Sequence, residues 1–138
     1  MSSTGSKLNA SLLRPVLAVD DVKRAASFYR DILGLEVKEE EDGYARVFTS
    51  GDSWLTLYKT SYPRGQNTVA AFEVEDVDGT VEYLRQRGVK FEEYDFPGLK
   101  TVNGIAFEGP AKVAWFKDTE GNTLSIAQRW QAAKSKAA

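Results

Sequence analysis

Two stretches of this chain read almost alike: "VDDVKRAASFYRDILGLEV" from Val19 to Val37, and "VEDVDGTVEYLRQRGVKF" from Val74 to Phe91. In the first, Val22, Ala25, Ala26, Tyr29, Ile32 and Leu33 fall at helical spacing and make one apolar stripe. Asp20 or Asp21 is placed to cap that helix, and Gly34 to end it in the left-handed region. The second stretch predicts a helix over Asp76–Arg87 with Gly88 as its stop. One offset of 55 residues relates Val19 to Val74, Val22 to Val77, Phe28 to Tyr83 and Tyr29 to Leu84.

Strands surround both helices. "RPVLAVDD" leads into the first helix as a strand apolar on both faces, and Thr68–Val74 leads into the second. Leu35–Glu40, Tyr44–Thr49 and Trp54–Lys59 follow the first helix, with "EDG" and "SGDS" as turns. Val89–Tyr94, Gly104–Phe107, Lys112–Lys117 and Thr123–Gln128 follow the second. Asn103-Gly104 has type I′ turn chemistry, and "DTEGN" from Asp118 to Asn122 suits a hairpin loop. A single copy cannot bury its own sheet face, so two copies side by side make the domain. The expectation is an α+β fold of two βαβββ modules, about 13–60 and 67–129, forming a curved mixed sheet cup with helices on the outer face. Residues 1–12 read as a flexible leader and 130–138 as a polar tail.

Composition narrows the chemistry. The 138 residues are 42% hydrophobic, enough for one core. Lys and Arg number 18 against 20 Asp and Glu, which gives no basic footprint for nucleic acid. No stretch approaches the roughly 20 apolar residues of a membrane span. Cysteine is absent, which removes disulfides, thiol nucleophiles and thiolate metal sites and suits a cytoplasmic protein. Histidine is absent too, which removes the commonest general base and every imidazole ligand.

"PVLAVDDVKRAASFYRDILGLEV", "AAFEVEDVDGTVEYLRQRGV" and "WFKDTEGNTLSI" together resemble the vicinal oxygen chelate superfamily, which includes glyoxalase I, bleomycin-resistance proteins and extradiol dioxygenases. The resemblance runs from about Arg14 to Gln128. It implies the two-module fold strongly and the function weakly, because such folds host many activities. Metal-using members carry His, Gln or Glu ligands at four cup-facing positions. Carried over, those positions are Arg14, Thr56, Val69 and Ser125. None is a carboxylate or imidazole, so the resemblance implies a protein without the metal and without another cofactor.

Strand alternation puts Arg14, Trp54, Thr56, Tyr58, Val69, Glu73 and Ser125 on the cup face as candidate ligand-binding residues. Trp54 and Tyr58 offer planar faces, and Arg14 a fork for a carboxylate or phosphate. The leading expectation is a metal-free binder of an organic ligand, aromatic or anionic, acting as a homodimer like the bleomycin-resistance relatives. The alternative is a lyase or isomerase of glyoxalase type that uses Tyr58, Glu73 or another carboxylate as acid or base, Glu73 being raised in pKa by desolvation if the cup is apolar. A purely structural homodimer follows if the aromatics fill the cup. Metal analysis and ligand screening separate these readings.

Overall fold

The computed structural model describes residues 7–40, 43–108 and 110–128. Lys7–Ala10 forms one 3-10 turn. The first module contains β1 (Val16–Val19), α1 (Val22–Ser27), β2 (Glu36–Glu39), β3 (Tyr44–Phe48) and β4 (Trp54–Lys59). The second contains β5 (Thr68–Val74), α2 (Val77–Gln86), the small hairpin β6 (Asp95–Phe96) and β7 (Leu99–Lys100), then β8 (Ile105–Glu108), β9 (Ala111–Lys117) and β10 (Thr123–Gln128).

The repeat in sequence is a repeat in topology. Strand order is β1-β4-β3-β2 in one sheet and β5-β10-β9-β8 in the other. The leading strand of each module pairs in parallel with the last, because a helix crosses over between them, and the remaining ladders are antiparallel. The expected single curved sheet is therefore built as two four-stranded mixed sheets, with no ladder between them among the described residues. β1 and β5 each keep one edge without a strand partner there. Residues 1–6 of the expected leader and the whole expected tail, 130–138, lie outside the described residues.

Alternation decides which face is buried. Leu17, Val19, Ala45, Val47, Leu55 and Leu57 point to the helix side and are buried. Ala114, Phe116, Leu124 and Ile126 do the same in the second sheet, and both sets join one core. Asp21 caps α1 and Asp76 caps α2, each accepting a backbone N–H three residues on.

Two local expectations are corrected. The first helix is α-helical only to Ser27; Phe28–Ile32 widens to a π turn, with the Leu33 N–H donating to the Phe28 carbonyl at 3.1 Å. The apolar stripe survives this change, and Tyr29 within the turn is fully buried. Val89–Tyr94 is not a strand: Phe91 alone bridges Phe116, and Glu92 N–H reaches the Trp115 carbonyl at 2.8 Å. The Thr101 hydroxyl then intercepts the Tyr94 N–H at 2.8 Å and draws the chain out into β6–β7. The chain returns through Asn103 and Gly104, both at positive φ (54° and 79°), as a two-residue turn of the I′ kind requires.

The modules dock within one chain through the Asp118–Asn122 turn, which does more than link β9 to β10. Asp118 Oδ1 accepts the N–H groups of Glu120 and Asn122 at 2.8 and 2.9 Å, shaping the loop. Its Oδ2 accepts the Tyr29 hydroxyl at 2.7 Å. Asn122 Nδ2 donates to the Ala18 carbonyl of β1 at 2.8 Å. Glu120 Oε1 accepts the N–H groups of Asp20 and Asp21 at 2.9 and 3.0 Å, and Arg24 closes the set. Burial raises the Glu120 carboxyl, but the donors from Arg24, Thr119, Asp21 and Asp20 outweigh it and hold the group at about 2. Burial first, then the Asp118 carboxylate, pushes the Tyr29 hydroxyl well above its usual range.

Candidate ligand-binding site

Register fixes the cup face of the first sheet, the face turned away from the helices, as a grid. Glu36 lies opposite Phe48, and Phe48 opposite Trp54; Lys38, Arg46, Thr56 and Val16 form the next row. Tyr44, Tyr58 and Ala18 follow in a third row. All of these side chains point away from the core residues Val47, Leu55, Leu57 and Leu17. Arg14, two residues before Val16, stacks its guanidinium carbon 3.5 Å from the Trp54 ring centroid. Phe48 meets the same indole edge-on at 5.7 Å, and Arg46 lies over it at 5.7 Å. The Trp54 row is thus an aromatic pair flanked by two guanidinium groups.

A cleft of about 960 Å³ opens beside this row, where the first module meets the free edge of β5. Phe48, Trp54, Leu35 and Pro15 line it from one side, and Ala70–Val74 from the other. The five consecutive residues Ala70–Val74 cannot all point one way, but a strand edge presents its backbone N–H and C=O groups together with alternate side chains. The wall of the cleft therefore combines apolar side chains with main-chain donors and acceptors that have no strand partner among the described residues, the mixture expected of a small-molecule site. A smaller apolar cavity of about 160 Å³ adjoins it and shares Leu35, Phe72 and Val74.

The seven expected site residues are dispersed by this geometry. Trp54 and Glu73 line the cleft, and Arg14 touches it through Trp54. Thr56 and Tyr58 continue along the grid away from the cleft, with Tyr58 38% exposed. Val69 is exposed on β5 before the stretch that lines the cleft. Ser125 is buried between Ala71 and Trp115 in the register of the second sheet, where Tyr94 packs on Trp115 at 5.4 Å. Glu73 is exposed on the cleft wall rather than enclosed among apolar side chains.

Arg14, Thr56, Val69 and Ser125 do not fit a divalent metal. A guanidinium repels the ion, an isopropyl group has no donor, and two hydroxyls are weak ligands. Among the described residues no three His, Cys, Asp or Glu side chains are grouped to hold one.

Phe48 and Arg46 join the site from β3, a strand that carries none of the four family ligand positions. Their signal was present: Tyr44, Arg46 and Phe48 alternate with the buried Ala45 and Val47. The clamping role of Glu120 had no local signal, since its partners are about a hundred residues away.

Comparison with known proteins agrees with this architecture. An uncharacterized protein of Bacillus subtilis, YraH, is 31% identical over 131 residues, covering 83% of this chain and 95% of that one. The solved structure titled oxidase ChaP-H2 superposes with a TM-score of 0.64 at 25% identity, over 87% of this chain and 94% of that one. A fosfomycin resistance protein, FosX of Listeria monocytogenes, gives 0.62 at 20% identity, over 94% and 98%. The profile of the Glyoxalase/Bleomycin resistance protein/Dioxygenase superfamily matches residues 11–126, and the chain belongs to that family.

Proposed function

We propose that this protein binds an organic small molecule, without a metal ion, in the cleft between its two modules. The observation that carries this reading is the cleft itself: about 960 Å³ walled by Phe48, Trp54, Leu35, Phe72 and the β5 edge. The family includes bleomycin-resistance proteins and the solved neighbours a fosfomycin resistance protein, names that point to small-molecule ligands, and the donor set at the four family ligand positions supports binding without metal. Catalysis of glyoxalase type has less support here, because both carboxylates of the cleft wall, Glu36 and Glu73, stand exposed to solvent rather than enclosed beside a substrate-sized apolar pocket.

The protein is further proposed to act as a cytoplasmic homodimer. The β1 edge that has no strand partner among the described residues and the exposed Val16 on it favour association, and the lack of cysteine fits a reducing compartment. Light scattering after size exclusion reads the mass directly. For the binding reading, thermal-shift screening of planar acids and aromatic antibiotics, with and without EDTA, is the test. The expected result is stabilisation by at least one aromatic compound, unchanged by the chelator. Stabilisation that disappears with EDTA contradicts it.

A further inference from the structure

We infer that the cleft selects an anionic aromatic ligand, with Arg14 and Arg46 bracketing Trp54 as the clamp for its acid group. This rests on the cleft being the binding site and adds the charge and orientation of what enters it. Three observations carry it. First, the two guanidinium carbons lie 3.5 and 5.7 Å from one indole centroid; that indole lines the cleft, and the two arginines stand against it just beyond the cleft wall, at the rim where a ligand's acid group would project. Second, Arg14 has no acid partner among the described residues; its only contact of this kind is the ring. Stacking on Trp54 covers the flat face of the guanidinium and leaves its in-plane N–H donors to point outward, the geometry that receives a carboxylate or phosphate.

Third, Arg46 is only partly committed. Its Nη1 stands 3.6 Å from Glu40 Oε2, and that oxygen has no hydrogen-bond partner. The pair is an unbonded contact, so Arg46 retains donors while Glu40 sets its direction. Arg46 also lies 5.6 Å from the Tyr44 centroid, which holds it on the grid between two rings.

The acids of the cleft give the orientation. Glu36 and Glu73 both stand exposed on its wall and repel an anion from that part. The favourable end is therefore the Trp54 end, with the ligand's ring system against Phe48, Leu35 and Phe72. Because Arg14 occupies one face of Trp54, that face is closed to ligand stacking, and the arginine rather than the indole makes the first polar contact.

The test uses three 1-substituted naphthalenes of negative, zero and positive charge, 1-naphthoate, 1-naphthylmethanol and 1-naphthylmethylammonium, each titrated calorimetrically into the intact protein at neutral pH. The acid should bind about tenfold tighter than the alcohol, and the ammonium compound weakest. Salt at about 0.5 M should narrow the acid's advantage, since a half-exposed clamp is screened. Arg14→Gln and Arg46→Gln should each cut the acid-to-alcohol ratio by about threefold or more, and Arg14→Lys should retain more of it. Melting curves of the variants establish that each is folded. Equal binding of acid and alcohol, or a ratio untouched by both Gln variants, overturns the clamp while leaving the cleft as the site. Tightest binding of the ammonium compound overturns it in favour of Glu36 and Glu73. Failure of all three to bind removes the cleft reading and the clamp with it.

Discussion

Arg24 holds Glu120 across the boundary between the modules, Nε to Oε2 at 2.8 Å and Nη2 to Oε1 at 3.0 Å. The Glu120 side chain is wholly buried while half of Arg24 faces solvent. A buried carboxylate with this many donors is favourable only while it stays ionised.

Acid should therefore loosen the module contact. The folded value of about 2 lies below the ordinary 4.5, so Glu120 stabilises the fold fully above about pH 4.5 and loses that contribution as pH falls toward 2. The contribution amounts to up to about 3 kcal/mol. Glu120→Gln should cost about 2–3 kcal/mol near neutrality, because charged hydrogen bonds become neutral ones. Denaturant titrations at a series of pH values should show the gap between variant and parent closing as pH approaches 2. A gap independent of pH contradicts the assignment.

Tyr29→Phe tests the second tie. The hydroxyl is buried and donates to Asp118 Oδ2, which keeps Asn122 Nδ2 as another donor at 3.0 Å. Partial compensation limits the expected loss to about 1–2 kcal/mol. Urea unfolding measures it, and a variant as stable as the parent would show that the bond contributes nothing.

Gly104→Ala should be worse than an ordinary turn substitution. The residue sits at φ 79°, and a Cβ there would lie 2.9 Å from the Phe91 Cβ. Left-handed strain and the clash together should cost about 2–3 kcal/mol. The melting temperature reports this, and Asn103→Gly at the neighbouring positive φ should by contrast be nearly neutral or mildly stabilising.

Trp54→Ala separates binding from folding. Trp54 is half-buried on the cup face, while the core beneath it is held by Leu55 and Leu57. The expected result is a loss of 1-naphthoate affinity of about tenfold or more with a stability loss near 1 kcal/mol. Unchanged affinity would place the ligand elsewhere.

Much of this fold was legible because it was written twice. The spacing of Val22, Ala25, Ala26 and Tyr29, the alternation of Leu55 and Leu57 about Thr56, and Gly34 and Gly88 as helix stops all depend on local periodicity. The π turn at Phe28–Ile32 changes hydrogen bonding without changing the apolar stripe, so the pattern of residues did not reveal it. The excursion of β6–β7 depends on one Thr101 hydroxyl capturing a backbone N–H seven residues away, which no periodicity encodes. At the site, parity gave the correct face for Trp54 and Thr56 but not the place where the modules meet. That place is set by contacts such as Asn122 with Ala18 and Glu120 with Asp21, which join distant parts of the chain.

The central claim is that ligand binding in the inter-module cleft requires no metal. It is tested most directly by calorimetric titration of 1-naphthoate into protein stripped with EDTA, alongside the same protein supplied with excess manganese or zinc. Saturable one-site binding of equal affinity in all three samples, lost on Trp54→Ala, is the result the cleft geometry predicts. Binding that appears only with a stoichiometric divalent ion, or that survives Trp54→Ala unchanged, would contradict it.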